Sequence, residues 1–82
     1  MQTSGRDMAV LKKARKSSLM TQAEFLERLK SELGKSASLP TIVEWEKSPD
    51  QVSISTLHDY YKLCGTDARA WIKEFVDSFF MP

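Results

Sequence analysis

Apolar residues recur along this chain at three- and four-residue intervals, the period of a helix with one buried face. Leu26, Leu29 and Leu33 form one such stripe, and Ile42 with Trp45 forms another. Ile54, Leu57, Tyr60 or Tyr61, and Cys64 form a third. The longest runs from Ala68 through Trp71, Ile72, Phe75 and Val76 to Phe79 and Phe80. The one short strand candidate, Val52 to Thr56, is brief and serine-rich. The pattern predicts an all-α chain of five short helices.

Capping and turn residues set the boundaries. The first helix is expected from about Gly5 to Lys16, with Ser4 and Asp7 at its start and Leu11 and Ala14 facing inward. Thr21 and Glu24 have the spacing of a capping box: the hydroxyl takes an orphan N–H, and the carboxylate reaches back to the cap's own N–H. The second helix then persists to Leu33, where Gly34 suits a left-handed stop. Ser38 caps a third helix, Pro40 falls in its first turn, and the helix ends near Lys47. Ser48-Pro49-Asp50 reads as a turn. Ser53 caps the fourth helix, Gly65 stops it, and Thr66 caps the fifth.

Composition narrows the function classes. The chain has 82 residues, 41% apolar and 28% charged, which fits one globular domain over residues 1–82. A single cysteine, Cys64, and a single histidine, His58, exclude an internal disulfide, a cysteine-based zinc cluster and most catalytic triads. His58 and Asp59 are adjacent, but neighbours on a helix do not face each other. There is no glycine-rich phosphate loop. The expectation is a protein that is not an enzyme, with no metal, cofactor or small-molecule ligand. No apolar run approaches the roughly 18 residues of a membrane span, and residues 1–10 have no signal-peptide core. A cytoplasmic location follows as the expectation.

The formal net charge is +1, which by itself argues against nucleic acid. Its distribution changes that picture. Residues 1–35 carry Arg6, Lys12, Lys13, Arg15, Lys16, Arg28, Lys30 and Lys35 against Asp7, Glu24, Glu27 and Glu32. Residues 36–82 carry Lys47, Lys62, Arg69 and Lys73 against seven acids. A basic half can meet phosphate while an acidic half faces away.

Residues 11–65 resemble the lambda-repressor-like, Xre-type helix-turn-helix family. The matching pieces are Leu11 and Arg15, then Met20-Thr21-Gln22-Ala23-Glu24-Phe25 opening helix two. Ser38 and Thr41-Ile42-Val43-Glu44-Trp45-Glu46 follow in helix three, and Ile54-Ser55-Thr56-Leu57 opens helix four. The resemblance implies a compact helix-turn-helix core over 11–65, with residues 66–80 as an added C-terminal amphipathic helix. It implies double-stranded DNA as partner, with helix two across the phosphate backbone and helix three in the major groove. Thr21 would cap a phosphate-binding helix start. Gln22 matches the family glutamine that contacts phosphate and adjacent bases. Arg15 and Glu46 match a structural ion pair between helices one and three, and Trp45 falls in an apolar core slot. The base-reading positions correspond to Leu39, Pro40, Thr41 and Glu44. Ser38 and Lys47, at the two ends of that helix, complete the expected contact set.

Two departures from the family pattern matter. Gln22 to Ser38 spans sixteen residues, and Lys30-Ser31-Glu32-Leu33-Gly34-Lys35-Ser36 resembles the lengthened helix two of regulators from phages and mobile elements. Lys35 and Ser36 would then lie near the backbone and contact phosphate. Helix three also lacks an Arg or Gln to read guanine or adenine. Leu39 is left to touch a thymine methyl, Thr41 to bond a base or phosphate, and Glu44 to accept from a cytosine amino group. Arg6, Lys12, Lys13 and Lys16 are candidate cations for the backbone. Ser48 stands where the family has a glycine.

In the last helix Trp71, Ile72 and Phe75 are expected to turn inward. Phe75 is also grouped with Phe79 and Phe80 as a dimer contact, because so large an exposed patch is rare on a monomer. The resulting expectation is a repressor acting as a homodimer on a palindromic operator. The alternative is a protein-interaction module on the same fold, an antitoxin or anti-repressor-like adaptor, motivated by the apolar reading positions and the low net charge.

Overall fold

The computed structural model of the chain describes residues 7–79. Their helices are α1 (Val10–Ser17), α2 (Gln22–Leu33), α3 (Leu39–Lys47), α4 (Ile54–Leu63) and α5 (Thr66–Asp77), with one turn of 3-10 helix at Pro49–Gln51. No strand occurs among the described residues, so the fold is all-α with five helices. None of these helices is long and apolar enough to cross a membrane.

Local chemistry explains most boundaries. Thr21 Oγ accepts the Glu24 N–H at 3.1 Å, and the Glu24 carboxylate accepts the Thr21 N–H at 2.8 Å, closing the capping box of α2. Gly34 ends that helix at φ 66°, a left-handed backbone that only glycine adopts without cost. Ser38 and Ser53 cap α3 and α4 through their side chains. Pro40 sits in the first turn of α3.

Two boundaries differ from the expectation. Helix α1 starts at Val10, not near Gly5. The Asp7 carboxylate takes the Ala9 N–H at 2.9 Å, and the Val10 N–H bonds the Asp7 carbonyl at 3.1 Å. This Asp-centred turn competes with helix and wins over residues 7–9. Ser4 and Gly5 lie outside the described residues. The second correction concerns α5, whose cap is Gly65 rather than Thr66, which is already helical. Gly65 is extended at φ −75°, so it does not stop α4 by a left-handed turn. Its N–H instead bonds Ser18 Oγ at 2.9 Å, tying the α4–α5 junction to the end of α1.

The core is continuous through all five helices. Val10, Leu11 and Ala14 of α1 meet Phe25 and Leu29 of α2, Ile42 of α3, Leu57, Tyr60 and Leu63 of α4, and Ala68, Ile72 and Phe75 of α5. Tyr60, not Tyr61, fills the interior, with its ring stacked on Phe25 at 4.2 Å between centroids. Trp45 packs half-buried, edge-on against Tyr60 at 6.4 Å. Cys64 is buried, and that burial pushes its thiol pKa up. Ile54 does not join the inner stripe: it opens α4 and is 59% exposed.

Helix α5 folds back on α1 and α4 and contributes Ala68, Ile72 and Phe75 to this core. Phe75 is 2% exposed and cannot serve a dimer contact while the core is intact. Trp71 is half-buried under Lys13, whose Nζ lies 5.1 Å from the ring centroid. Phe79 is exposed and meets Phe75 edge-on at 5.2 Å. Phe80 lies outside the described residues.

Candidate nucleic-acid interface

A buried ionic network joins the starts and ends of four helices. Arg15 of α1 donates from Nε to Glu46 Oε2 at 2.7 Å and from its second nitrogen to Oε1 at 2.9 Å. Its remaining nitrogen donates to the Met20 carbonyl at 2.9 Å, which holds the α1–α2 turn. The Tyr60 hydroxyl donates to Glu46 Oε2 at 3.0 Å, and Gln22 Nε2 donates to Oε1 at 3.2 Å. Burial alone would raise the Glu46 pKa. Hydrogen bonds from Arg15, Gln22 and Tyr60 outweigh that and hold it below the ordinary carboxylate value. The hydrogen bonds to Glu46 raise the Arg15 pKa, and burial, then the Glu46 charge, raise that of Tyr60. Arg15 and Glu46 thus form a two-pronged, buried ion pair between α1 and α3.

The network also orients Gln22. A carboxylate accepts and never donates, so the amide nitrogen must face Glu46. Among the described residues this leaves the Gln22 carbonyl oxygen and one N–H uncommitted. Gln22 is half-buried at the start of α2.

The starts of α2 and α3 share one surface. Lys16, Leu19, Met20, Thr21, Gln22, Ala23 and Leu39 line a single shallow depression, with Arg15 beneath. Leu19, in the α1–α2 turn, is 89% exposed at φ 60°, a conformation that costs a non-glycine residue about 1 kcal/mol or more. The Thr21 and Ser38 hydroxyls are exposed but committed to capping, and Ser38 Oγ also bonds Thr41 Oγ1 at 2.9 Å.

Helix α3 buries Ile42 and Glu46 and turns Leu39, Pro40, Val43, Glu44 and Lys47 outward. Glu44 lines a separate depression with Trp45, Ser48 and Gln51. Ser36 is exposed in the α2–α3 loop. Lys12 and Lys16 are exposed on α1, whereas Lys13 is paired with Asp7 at 2.6 Å. Arg6 lies outside the described residues.

Lys35, a candidate phosphate contact, has its Nζ 2.9 and 3.0 Å from the two Asp59 carboxylate oxygens and 3.1 Å from Ser55 Oγ. Asp59 is 4% exposed, so Lys35 compensates a buried charge and pins the loop to α4. Sequence reading missed Asp59, Tyr60's place in the Glu46 network, and Val43. Only Val43 carried a local signal: it stands four residues after Leu39, on the same helix face.

Comparison with protein-family models, curated proteins and solved structures finds no match to this chain.

Proposed function

We propose that the chain is a sequence-specific double-stranded DNA-binding regulator of transcription, with α2 and α3 as a helix-turn-helix unit of the lambda-repressor-like, Xre type. The carrying observation is that two helix starts meet on one exposed surface beside Lys16. The first-turn N–H groups of α2 without an intrahelical partner, and the positive end of its dipole, favour a phosphate there. Helix α3 offers an outward face narrow enough for the roughly 12 Å major groove. The buried Arg15–Glu46 pair ties α3 to α1, and Gln22 at the start of α2 bonds the same carboxylate, so the three helices share one anchor.

The protein would act in the cytoplasm of a bacterial or phage-infected cell, as a repressor that occupies its operator. A homodimer on a palindromic site follows from this reading, with the Phe79 end of α5 at the contact. Equilibrium sedimentation tests it, and monomer alone at high micromolar concentration rejects it. Selection of bound DNA from a random duplex pool, followed by a salt series, tests the central reading. Affinity should fall steeply with salt as neutralised phosphates release counterions. Background binding to every duplex at about 50 mM salt rejects it.

The exposure of Leu39, Val43 and Leu19 favours a second reading, a protein-interaction module of the antitoxin or anti-repressor-like kind. Gln22→Ala with Thr41→Ala abolishes operator binding under the first reading. Under the second it leaves activity intact, while Val43→Asp abolishes capture of the partner.

A further inference from the structure

We infer that the aliphatic strip of Leu19, Leu39 and Val43 docks an acidic amphipathic helix of a partner protein, in the place that DNA would take. This rests on the second reading above and names the partner's chemistry. Leu19 is 89% exposed, the most exposed large apolar side chain among the described residues, and it stands at φ 60° in the α1–α2 turn. Glycine or asparagine fills that backbone at lower cost. A leucine held there gains nothing from water or phosphate. It gains when a second apolar surface covers it. Leu39 borders the same depression, and Val43 continues its face one turn on; they are 43% and 46% exposed.

Charge sets the chemistry of the partner. No acidic side chain lines the depression: its ions are Lys16 and, beneath, Arg15, which is spent on Glu46. Lys12 lies one turn before Lys16 on α1, and Lys47 one turn beyond Val43 on α3. All three lysines are exposed, and none joins an ion pair among the described residues. Glu44 lines a different depression, and the Glu24 carboxylate is held by the Thr21 N–H. At the start of α2, Thr21 Oγ takes the Glu24 N–H, so the Gln22 and Ala23 N–H groups are left for another acceptor. A carboxylate seated there takes the position of a phosphate. An apolar strip flanked by cations fits the converse pattern in a partner helix: aliphatic residues three and four apart, with Asp or Glu beside them.

The experiment selects binders of the full chain from a displayed library of random peptides. Enriched peptides should carry aliphatic residues three or four apart together with Asp or Glu. Leu19→Gly and Val43→Asp should each weaken the best peptide about tenfold or more by fluorescence anisotropy. Leu19→Gly should not lower the thermal midpoint, because glycine takes φ 60° freely. Lys16→Glu should weaken binding and flatten its salt dependence. The peptide should also displace a duplex selected from a random pool, and simultaneous binding of the two overturns the inference. If no duplex is selected, the DNA reading fails and the docking result alone decides. Peptides that bind the strip without acids overturn the inference and leave the protein-interaction reading standing. No enrichment, or peptides indifferent to Leu19→Gly and Val43→Asp, overturns both. If Leu19→Gly converts a dimer to monomer in sedimentation, a second copy covers the strip and the inference falls.

Discussion

Among the described residues two ion pairs bridge distant segments, and they solve different problems. Arg15–Glu46 is dry: the side chains are 6% and 4% exposed, the contact is two-pronged, and three further groups complete it. Lys35–Asp59 is one-sided: the carboxylate is 6% exposed but the ammonium is 45% exposed. The first pair has no water to fall back on, so each partner depends on the other. In the second, solvent can stand in for the lysine at part of the site. Burial of both partners, rather than short distance, separates a pair that defines the fold from one that fastens a loop.

Glu46→Ala gives the largest effect. It strands a buried guanidinium and removes the acceptor for Gln22 and Tyr60, so urea denaturation should show a loss of about 3–5 kcal/mol. A loss no greater than that of Lys35→Ala would erase the contrast. Lys35→Ala leaves the Asp59 carboxylate short of donors and should cost about 1–3 kcal/mol by the same measurement. Its cost should shrink in high salt more than that of Glu46→Ala, because its ammonium is exposed.

Acid sharpens the comparison further. The Glu46 pKa is lowered on folding from an ordinary value of 4.5. Its charge therefore adds stability that is fully present above pH 4.5 and is lost as pH falls through the lowered folded value. Glu46→Gln should lack that part of the acid sensitivity, giving a flatter plot of unfolding free energy against pH below 4.5. A parallel plot would remove Glu46 from the account. The smallest effect is expected for Lys73→Ala, which breaks an exposed contact to Asp77 at 3.8 Å. The change should stay within about 0.5 kcal/mol.

What could be read from the sequence was local. Thr21 with Glu24, Gly34, Ser38 with Pro40, and Ser53 act within a few residues of themselves, so α2, α3 and the start of α4 were legible. Arg15 and Glu46 were legible through a resemblance, not through their spacing. The start of α1 was missed because Ser4 and Asp7 mimic a helix cap, while Asp7 bends the backbone into a turn of its own. Ile54 matched the apolar period of α4 but falls on its first residue, where little chain lies above it to bury it. Lys35 and Asp59 are 24 residues apart, and no local rule joins a loop lysine to one face of a later helix. For the interface, helix phase placed Leu39, Pro40 and Glu44 outward, but not the Gln22 amide, whose direction depends on a carboxylate in another helix.

Cys64 has a consequence for kinetics. Cys64 is buried at 3% exposure at the α4–α5 junction, beside Ser18 at the end of α1, with a thiol that ionises reluctantly. A thiol-modifying reagent therefore reacts only after that junction parts, and the labelling rate without denaturant counts those openings. The chain thus carries its own clock for local opening at the end of α4, readable by mass spectrometry of the labelled thiol.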